Sequence, residues 1–322
     1  MTNPLVRKML FLCVVAVAPA IANAQPYPSQ DIHFVCAYPA GSGADLFVRY
    51  YAEKMRAVTG RTIIVDNKPG AVSNIATEYV SRAKPDGYTV YIQGGSSIAA
   101  NMSLFKNPPV DITKTIHVVA PLNKQPYMLA VDAQKPWKTI AELTAYLKEK
   151  KGKASYSTSN PPGKVMGAIY KQLAGIEAVE VQYRTSFDTA NDLKSGALDY
   201  ALYDPVYSST GACEGRLRIL AISTAARMQA DPSLPTMAEQ GIAMDLLGWF
   251  AAMVPMGTPR PIVDQLNKWF NDVNATSESK KFLNSIGGDP WITTPDEGQA
   301  RLVRDVKDWS DYVRTANIEP QG

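Results

Sequence analysis

Strand-like and helix-like patterns alternate along almost the whole of this chain. The run IHFVCAY, which starts at residue 32, is rich in β-favouring residues. The next segment, ADLFVRYYAEKMRAVTG, repeats apolar residues at helical spacing until Gly60. Similar pairs follow as far as three C-terminal helices. This alternation predicts an α/β fold with largely parallel sheets, which bind ligands at the carboxyl ends of their strands.

The N-terminal residues and the charge restrict where the protein works. Arg7 and Lys8 precede a short apolar run, and Ala22 and Ala24 frame a cleavage site, which is the pattern of a secretory signal peptide. A buried N-terminal helix is the alternative. We expect residues 1–24 to be removed and the mature protein to lie in the periplasm. The net charge of +3, with no basic run, argues against a nucleic-acid partner.

One strand-to-helix turn, in the stretch YPAGSGADLF, is suited to an anion. Gly41, Ser42 and Gly43 stand where backbone amides and a helix dipole favour negative charge. The stretch lacks the lysine of a phosphate-binding loop and the third glycine of a dinucleotide fingerprint. Asp45 would repel a phosphate, so a carboxylate fits better. A tight turn without a ligand is the alternative.

Four further loops offer polar groups, and each has a plainer interpretation. Ser96 and Ser97 are equally suited to capping a helix. The segment STSNPPGKVMG could offer hydrogen-bond donors and the charge of Lys164 to a ligand. Its alternative interpretation is a surface turn with a solvated lysine. Arg184 could form a bidentate pair with a carboxylate, and tyrosines in YRTSFD and YDPVYSS could stack on a ligand or belong to the core. The candidate residues of these loops are Ser96, Ser97, Ser159, Pro162, Gly163, Lys164, Arg184, Tyr203 and Asp204.

Residue patterns of catalytic sites are absent from the sequence. His33 and His117 are its only histidines, both within strand-like runs, and no zinc spacing or GxSxG motif occurs. We therefore expect no enzyme activity, no cofactor and no metal. Cys36 and Cys213 are expected to stay unpaired, although export would permit a disulfide.

Five segments together resemble the solute-binding proteins of tripartite tricarboxylate transporters, the Bug family. They are YPAGSGAD, VDNKPGAVSNIA, AKPDGYTV, LPTMAEQG and GTPRPIVDQLN, in the family's order. The resemblance implies two α/β lobes joined by crossing strands, with the ligand in the cleft between them. We expect one lobe to comprise residues 25–122 and 248–322, and the other residues 123–247. The resemblance also implies that residues 40–45, from Ala40 to Asp45, and residues 159–164 hold a carboxylate.

The chain departs from the family pattern where the far end of a ligand is expected. Ser42 replaces a glycine, Lys164 stands near the place of a histidine, and Arg184 replaces a lysine. Two cations suggest a ligand with a second carboxylate, and Tyr38 with other tyrosines suggests a flat one. We expect a dicarboxylate, either aliphatic or aromatic such as terephthalate.

The function that follows from the resemblance is transport. We expect a monomeric periplasmic binding protein that delivers its ligand to a two-subunit membrane permease by closing its cleft. The alternatives are a periplasmic enzyme that acts on a small carboxylate and a ligand-sensing subunit for a membrane kinase.

Overall fold

The computed structural model describes residues 27–322. The expected signal peptide and its cleavage site after Ala24 lie outside the described residues. The strands are β1 Ile32–Cys36, β2 Ile63–Asn67, β3 Thr89–Gly94, β4 Ile116–Gln125, β5 Met128–Asp132, β6 Ala154–Thr158, β7 Ala178–Gln182, β8 Tyr200–Tyr203, β9 Leu217–Ile222, β10 Gly248–Pro255 and β11 Asp289–Pro290.

Helices connect most of these strands. They are α1 Gly43–Thr59, α2 Asn74–Ser81, α3 Gly95–Leu104, α4 Ile112–Thr115, α5 Ile140–Glu149, α6 Pro161–Ala174, α7 Ala190–Ser195, α8 Pro205–Cys213, α9 Arg260–Asn274, α10 Ser277–Ser285 and α11 Pro295–Thr315. Within residues 27–322, no helix combines the length and apolar character needed to cross a bilayer.

Two mixed sheets organise the chain. The first has the order β11-β4-β10-β3-β1-β2 and the second β7-β6-β8-β5-β9. β1 pairs in parallel with β2 and β3, as β6 does with β7 and β8, but β10 is antiparallel to β3 and β4, and β5 to β8 and β9. The α/β fold is confirmed. The expected predominance of parallel pairs is wrong, because strands next to the crossings join their sheets in the reverse direction.

The chain passes between the sheets twice. It leaves the first sheet at Gln125, enters the second at Met128, and returns to the first at Gly248. The expected division after residue 122 therefore falls inside β4. Ser223 ties the two crossings together. Its amide donates to the Tyr127 carbonyl and its hydroxyl accepts from the Tyr127 amide, both at 2.9 Å, and the same hydroxyl donates to the Leu246 carbonyl at 2.6 Å. We propose that each sheet with its helices is one lobe, the first-sheet lobe being lobe 1.

A buried carboxyl group lies under the C-terminal helix of lobe 1. Asp305 on α11 is 1% exposed, and its Oδ2 accepts a hydrogen bond of 2.5 Å from the indole of Trp249. Arg301 Nε lies 2.7 Å from Asp305 Oδ1. Burial raises the pKa of Asp305 to about 6, although Arg301 and Trp249 both act to lower it. The folded protein therefore keeps the Asp305 proton to a higher pH than the unfolded chain does.

This raised pKa predicts a pH-dependent stability. The folded-state pKa lies above the unfolded value of about 3.9, so the contribution of Asp305 is complete below pH 4 and is lost as the pH rises through 6. Between pH 4 and 7, the free energy of unfolding of the wild type should fall by about 2 kcal/mol relative to Asp305→Asn. Asparagine still accepts from Trp249. Urea titrations of both proteins across this range measure the difference, and a constant difference would contradict the prediction.

Candidate ligand-binding cleft

A cleft separates α1 and α3 of lobe 1 from the start of α8 in lobe 2. Its empty volume is about 780 Å³, counting the solvent at its mouth. Its walls are formed by Tyr38, Pro39, Ser42, Gly43, Ala44, Phe47, Gly94, Ser97, Gln125, Tyr127 and Phe250 on the lobe 1 side, and by Ser159, Asn160, Arg184, Thr185, Ser186, Phe187, Asp204, Val206 and Tyr207 on the lobe 2 side.

The first turn of α1 presents two unpaired amides to this cleft. Ser42 caps the helix, since its hydroxyl accepts from the Asp45 amide and its carbonyl from the Leu46 amide. In the described residues, the amides of Gly43 and Ala44 have no acceptor, as expected in a first helical turn. Both residues line the cleft. This turn is therefore suited to a carboxylate.

Asp45 holds the loop in place and does not face the cleft. Its carboxylate is 1% exposed and accepts hydrogen bonds from the Gly41 amide, Arg49 Nε and Asn67 Nδ2, all at 2.8 Å. Burial alone would raise the pKa of Asp45, but these hydrogen bonds hold it below its ordinary value. Gly41 has a φ of 80°, which favours glycine. Gly41 and Asp45 therefore shape the turn.

Removing the Asp45 carboxylate should destabilise the protein. Asp45→Ala leaves the half-buried amide of Asn67 and the Arg49 guanidinium without their acceptor, which costs about 2 kcal/mol of unfolding free energy at pH 7. Because the pKa of Asp45 is lowered, this difference should shrink as the pH falls below about 4. Urea unfolding at the two pH values tests both statements. Asp111→Ala, at an exposed helix cap, is the control, and an equal loss in both variants would contradict the assignment.

The start of α3 contributes a second turn of the lobe 1 wall. Its cap, Gly94, has no side chain to bond the first amides, and Gly95 is needed because a Cβ there would lie 2.3 Å from the Trp249 ring. Ser97 lines the cleft. Ser96 points elsewhere, and its hydroxyl lies 2.8 Å from that of Tyr127. Of the two predicted serines, the structure therefore brings Ser97 alone to the cleft wall.

The predicted lobe 2 loop, residues 159–164, cannot offer helix amides to an anion. Pro161 and Pro162 have no N–H, and the Gly163 amide donates to the Asn160 side chain at 2.8 Å. The prediction that Gly163 is a ligand donor is therefore wrong. Pro162 is buried in the first turn of α6. Lys164 lies outside this cleft and lines another cavity, together with Lys171 and Glu319. From this loop, Ser159 and Asn160 reach the cleft.

Arg184 supplies the guanidinium of the cleft. Its side chain is exposed at the mouth and forms no ion pair with a carboxylate of residues 27–322. It also lines an adjoining cavity with Tyr183 and Pro69. The charge is therefore available to a bound anion.

Asp204 is the carboxylate of the cleft and caps α8. Its Oδ1 accepts from the Tyr207 amide at 3.0 Å, and its Oδ2 accepts from the Ser186 hydroxyl at 2.8 Å. Tyr203, the last residue of β8, is fully buried and pairs through its hydroxyl with Thr189. The structure therefore places Tyr203 behind the cleft wall, in the core, and Tyr207 on the wall itself.

The two lobes meet at the floor of the cleft. A Cβ at Gly43 would lie 2.8 Å from Val206 Cγ1, so the first turns of α1 and α8 are in close contact. Aromatic rings stand on both sides: Phe47 and Phe250 have centroids 4.7 Å apart in lobe 1, and Phe187 and Tyr207 have centroids 4.9 Å apart in lobe 2. Aromatic rings therefore line both walls of the cleft.

Seven of the predicted residues line this cleft: Tyr38, Ser42, Gly43, Ser97, Ser159, Arg184 and Asp204. Those that do not are Ala40, Gly41, Asp45, Ser96, Pro162, Gly163, Lys164 and Tyr203. Phe47, Phe250 and Gln125 are among the lining residues that the sequence analysis missed. Phe47 belongs to the predicted helical face of α1, whose apolar spacing does not distinguish a core residue from one at a cleft. In residues 27–322, no group of three His, Cys, Asp or Glu side chains could hold a metal ion, and Cys36 and Cys213 are unpaired.

A family model decides the class of this cleft. The model described as tripartite tricarboxylate transporter family receptor matches residues 47–317. The chain belongs to this family. Its members are substrate-binding receptors of the periplasm and not enzymes, so the predicted family and the predicted lack of enzyme activity are both confirmed.

Individual relatives of this receptor match more than nine-tenths of its length. It is 30% identical over 307 residues to a UPF0065 protein of Bordetella bronchiseptica, covering 95% of this chain and 92% of that protein. It resembles the structure of R. palustris Rpa4515 with adipate at 26% identity, with a TM-score of 0.86 and coverage of 92% and 100%. The periplasmic binding protein BugD, also 26% identical, gives a TM-score of 0.83 with the same coverage.

Proposed function

We propose that this receptor captures a small dicarboxylate in the periplasm and delivers it to a two-subunit membrane permease. The observation that carries the proposal is the pair of free amides at Gly43 and Ala44, which lie in the cleft that Arg184 also lines. One carboxylate would bind at the start of α1, and Arg184 would pair with the second. The structural relative Rpa4515, with adipate bound, supports a dicarboxylate.

The rings of the cleft indicate the body of the ligand. Phe47 and Phe250 face the cleft from lobe 1, and Phe187 and Tyr207 face it from lobe 2. They suit an aromatic ring, as in terephthalate, as well as the methylene chain of adipate. The ligand would bind the closed form of the receptor more tightly than the open form. Binding would therefore shift the population toward the closed form. We also propose cleavage after Ala24 and a monomeric receptor.

A thermal-shift screen tests the proposal. Terephthalate, adipate and succinate should raise the melting temperature, and benzoate and hexanoate should raise it less. At a hundredfold excess over its dissociation constant, a true ligand adds about 2.7 kcal/mol to stability. Bound ligand should be recovered chemically unchanged, and a strain without the receptor should lose uptake. Stabilisation by none of the acids, or conversion of the ligand, would contradict the proposal.

A further inference from the structure

We infer that residues 70–73, which we name the clasp loop, form a closing contact that holds lobe 1 against lobe 2 once a ligand is bound. This role rests on the proposed function, since it requires a ligand whose binding closes the cleft. The clasp loop follows β2, which is an edge strand of the first sheet, and it lies outside the walls of the ligand cleft.

The backbone of the clasp loop is left-handed at three successive residues that are not glycine. Ala71, Val72 and Ser73 have φ angles of 45°, 53° and 74°. Such angles are unfavourable for L-residues and are rare for a β-branched residue such as valine. Gly70 before them has a φ of 130° and a ψ of 161°, which is a conformation almost restricted to glycine. The clasp loop is therefore strained along its whole length.

Buried side chains hold the clasp loop in this strained conformation. Asn101 Nδ2 donates to the Val72 carbonyl and Gln93 Nε2 donates to the Ser73 hydroxyl, both at 2.7 Å. Asn101 is 1% exposed and Gln93 is fully buried, and the side-chain oxygens of both lack a hydrogen-bond partner in residues 27–322. Unpaired buried oxygens are costly, and an ordinary surface turn needs no such support. Strain that the surrounding structure enforces is typical of ligand clamps and switch regions.

The clasp loop faces lobe 2 across a second cavity, which adjoins the ligand cleft. The empty volume of this cavity is about 1080 Å³, counting open solvent. β2 and β7 are edge strands of their sheets, and the segments that follow them lie on opposite sides of the cavity. The lobe 2 side is formed by Ser159, Asn160, Pro161, Gln182, Tyr183 and Arg184. Because three of these residues, Ser159, Asn160 and Arg184, also line the cleft, closure on a ligand narrows the second cavity as well.

Apolar surface is available on both sides of the second cavity. Pro69 and Ala71 are exposed and Val72 is half-buried on lobe 1, and Tyr183 is half-buried on lobe 2. Bringing these groups together removes apolar surface from water and stabilises the closed form. The strained conformation fixes the loop before closure, so that little ordering entropy is lost in the contact. Since the clasp loop acts on the closed form, it multiplies the affinity for every ligand by the same factor.

Two substitutions of Val72 test the strain. Val72→Ala shortens the side chain but keeps the left-handed penalty, whereas Val72→Gly removes the penalty as well. In the unliganded protein, Val72→Gly should therefore melt at a higher temperature than Val72→Ala, which is the reverse of the order at an ordinary position. A lower melting temperature of Val72→Gly would show that the loop stores no strain and would overturn the inference.

The same two variants test the closing contact. Both should weaken the binding of terephthalate, adipate and succinate by one common factor of at least about threefold, because the methyl groups of Val72 are lost from the closed form. The loss should lie in faster dissociation, which stopped-flow fluorescence measures beside calorimetry. Lys151→Gly is the matched control. Lys151 has a φ of 48° and lies in lobe 2 outside both cavities, so its replacement should leave every affinity unchanged.

The outcomes separate the clasp loop from the proposed function. Unchanged affinities in both Val72 variants would overturn the clasp loop and leave the carboxylate receptor intact. Factors that differ among the three acids would also overturn it, because the loop would then contact the ligand itself, and so would a loss confined to the association rate. If no acid binds to the wild type, the proposed function fails and the clasp loop fails with it. A common factor that lies in dissociation and is absent from Lys151→Gly supports the inference.

Discussion

Gly43→Val should reduce the affinity for every ligand at least about tenfold, or 1.4 kcal/mol. The reason is steric and lies between the lobes, since a Cβ at residue 43 would stand 2.8 Å from Val206 Cγ1. A valine there holds α1 and α8 apart and also covers the free amide that we assign to the carboxylate. The φ angle of Gly43 is not in the left-handed region, so the backbone itself tolerates a side chain. Calorimetry on the folded variant measures the loss.

A second substitution, at Val206, distinguishes the steric contact between the lobes from the covering of the Gly43 amide. Val206→Ala removes the atoms that the new Cβ would meet, so Gly43→Ala combined with Val206→Ala should bind more tightly than Gly43→Ala alone. Gly60→Ala is the control for glycine replacement outside the cleft: its left-handed φ of 65° should lower stability, but the affinity should stay unchanged. Unchanged affinity in Gly43→Val would place the carboxylate somewhere other than the start of α1.

The second large effect concerns Arg184. A dicarboxylate should bind more tightly than its monocarboxylate analogue in the wild type, and Arg184→Gln should reduce this advantage by roughly tenfold. The guanidinium is exposed and forms no ion pair within residues 27–322, so the effect stays below that of a buried charge pair. Terephthalate with benzoate, and adipate with hexanoate, are suitable pairs for calorimetry.

Lys164 provides a matched control for this experiment. The sequence suggests that Lys164 and Arg184 are equivalent cations, but Lys164 lines a different cavity. Lys164→Gln should therefore leave the dicarboxylate advantage unchanged. If Lys164→Gln reduces the dicarboxylate advantage as much as Arg184→Gln does, a general effect of net charge explains the result of both substitutions. If neither narrows it, Arg184 has no partner on the ligand.

The sequence predicts the elements of this fold better than their directions. Strand and helix periods are local properties, and β1 and α1 lie where their patterns place them. The antiparallel entry of β10 beside β3 and β4 depends on where the chain crosses between sheets, which no local period records. Ser96 and Ser97 lie inside the first turn of α3 and do not cap it, because Gly94 begins this helix without a capping side chain.

The sequence likewise predicts some residues of the candidate cleft correctly and misplaces others. Gly43 and Ser42 were found because a strand-to-helix turn with glycine and serine signals an anion site by itself. Asp45 and Gly163 were placed on the ligand because sequence shows residue type and not hydrogen-bond use. In the structure, Asp45 bonds to Gly41, Arg49 and Asn67, and the Gly163 amide bonds to Asn160. Phe250 joins the cleft from a strand far along the chain, which depends on tertiary packing alone.

The most direct test observes the two amides that are assigned to the carboxylate. In an NMR titration of ¹⁵N-labelled protein with a dicarboxylate that stabilises it, the amide protons of Gly43 and Ala44 should shift downfield, as they do when an N–H gains a charged acceptor. The Gly163 amide, already bonded to Asn160, should change little. Saturable binding that leaves the Gly43 and Ala44 resonances in place would contradict the account, since the carboxylate would then lie elsewhere.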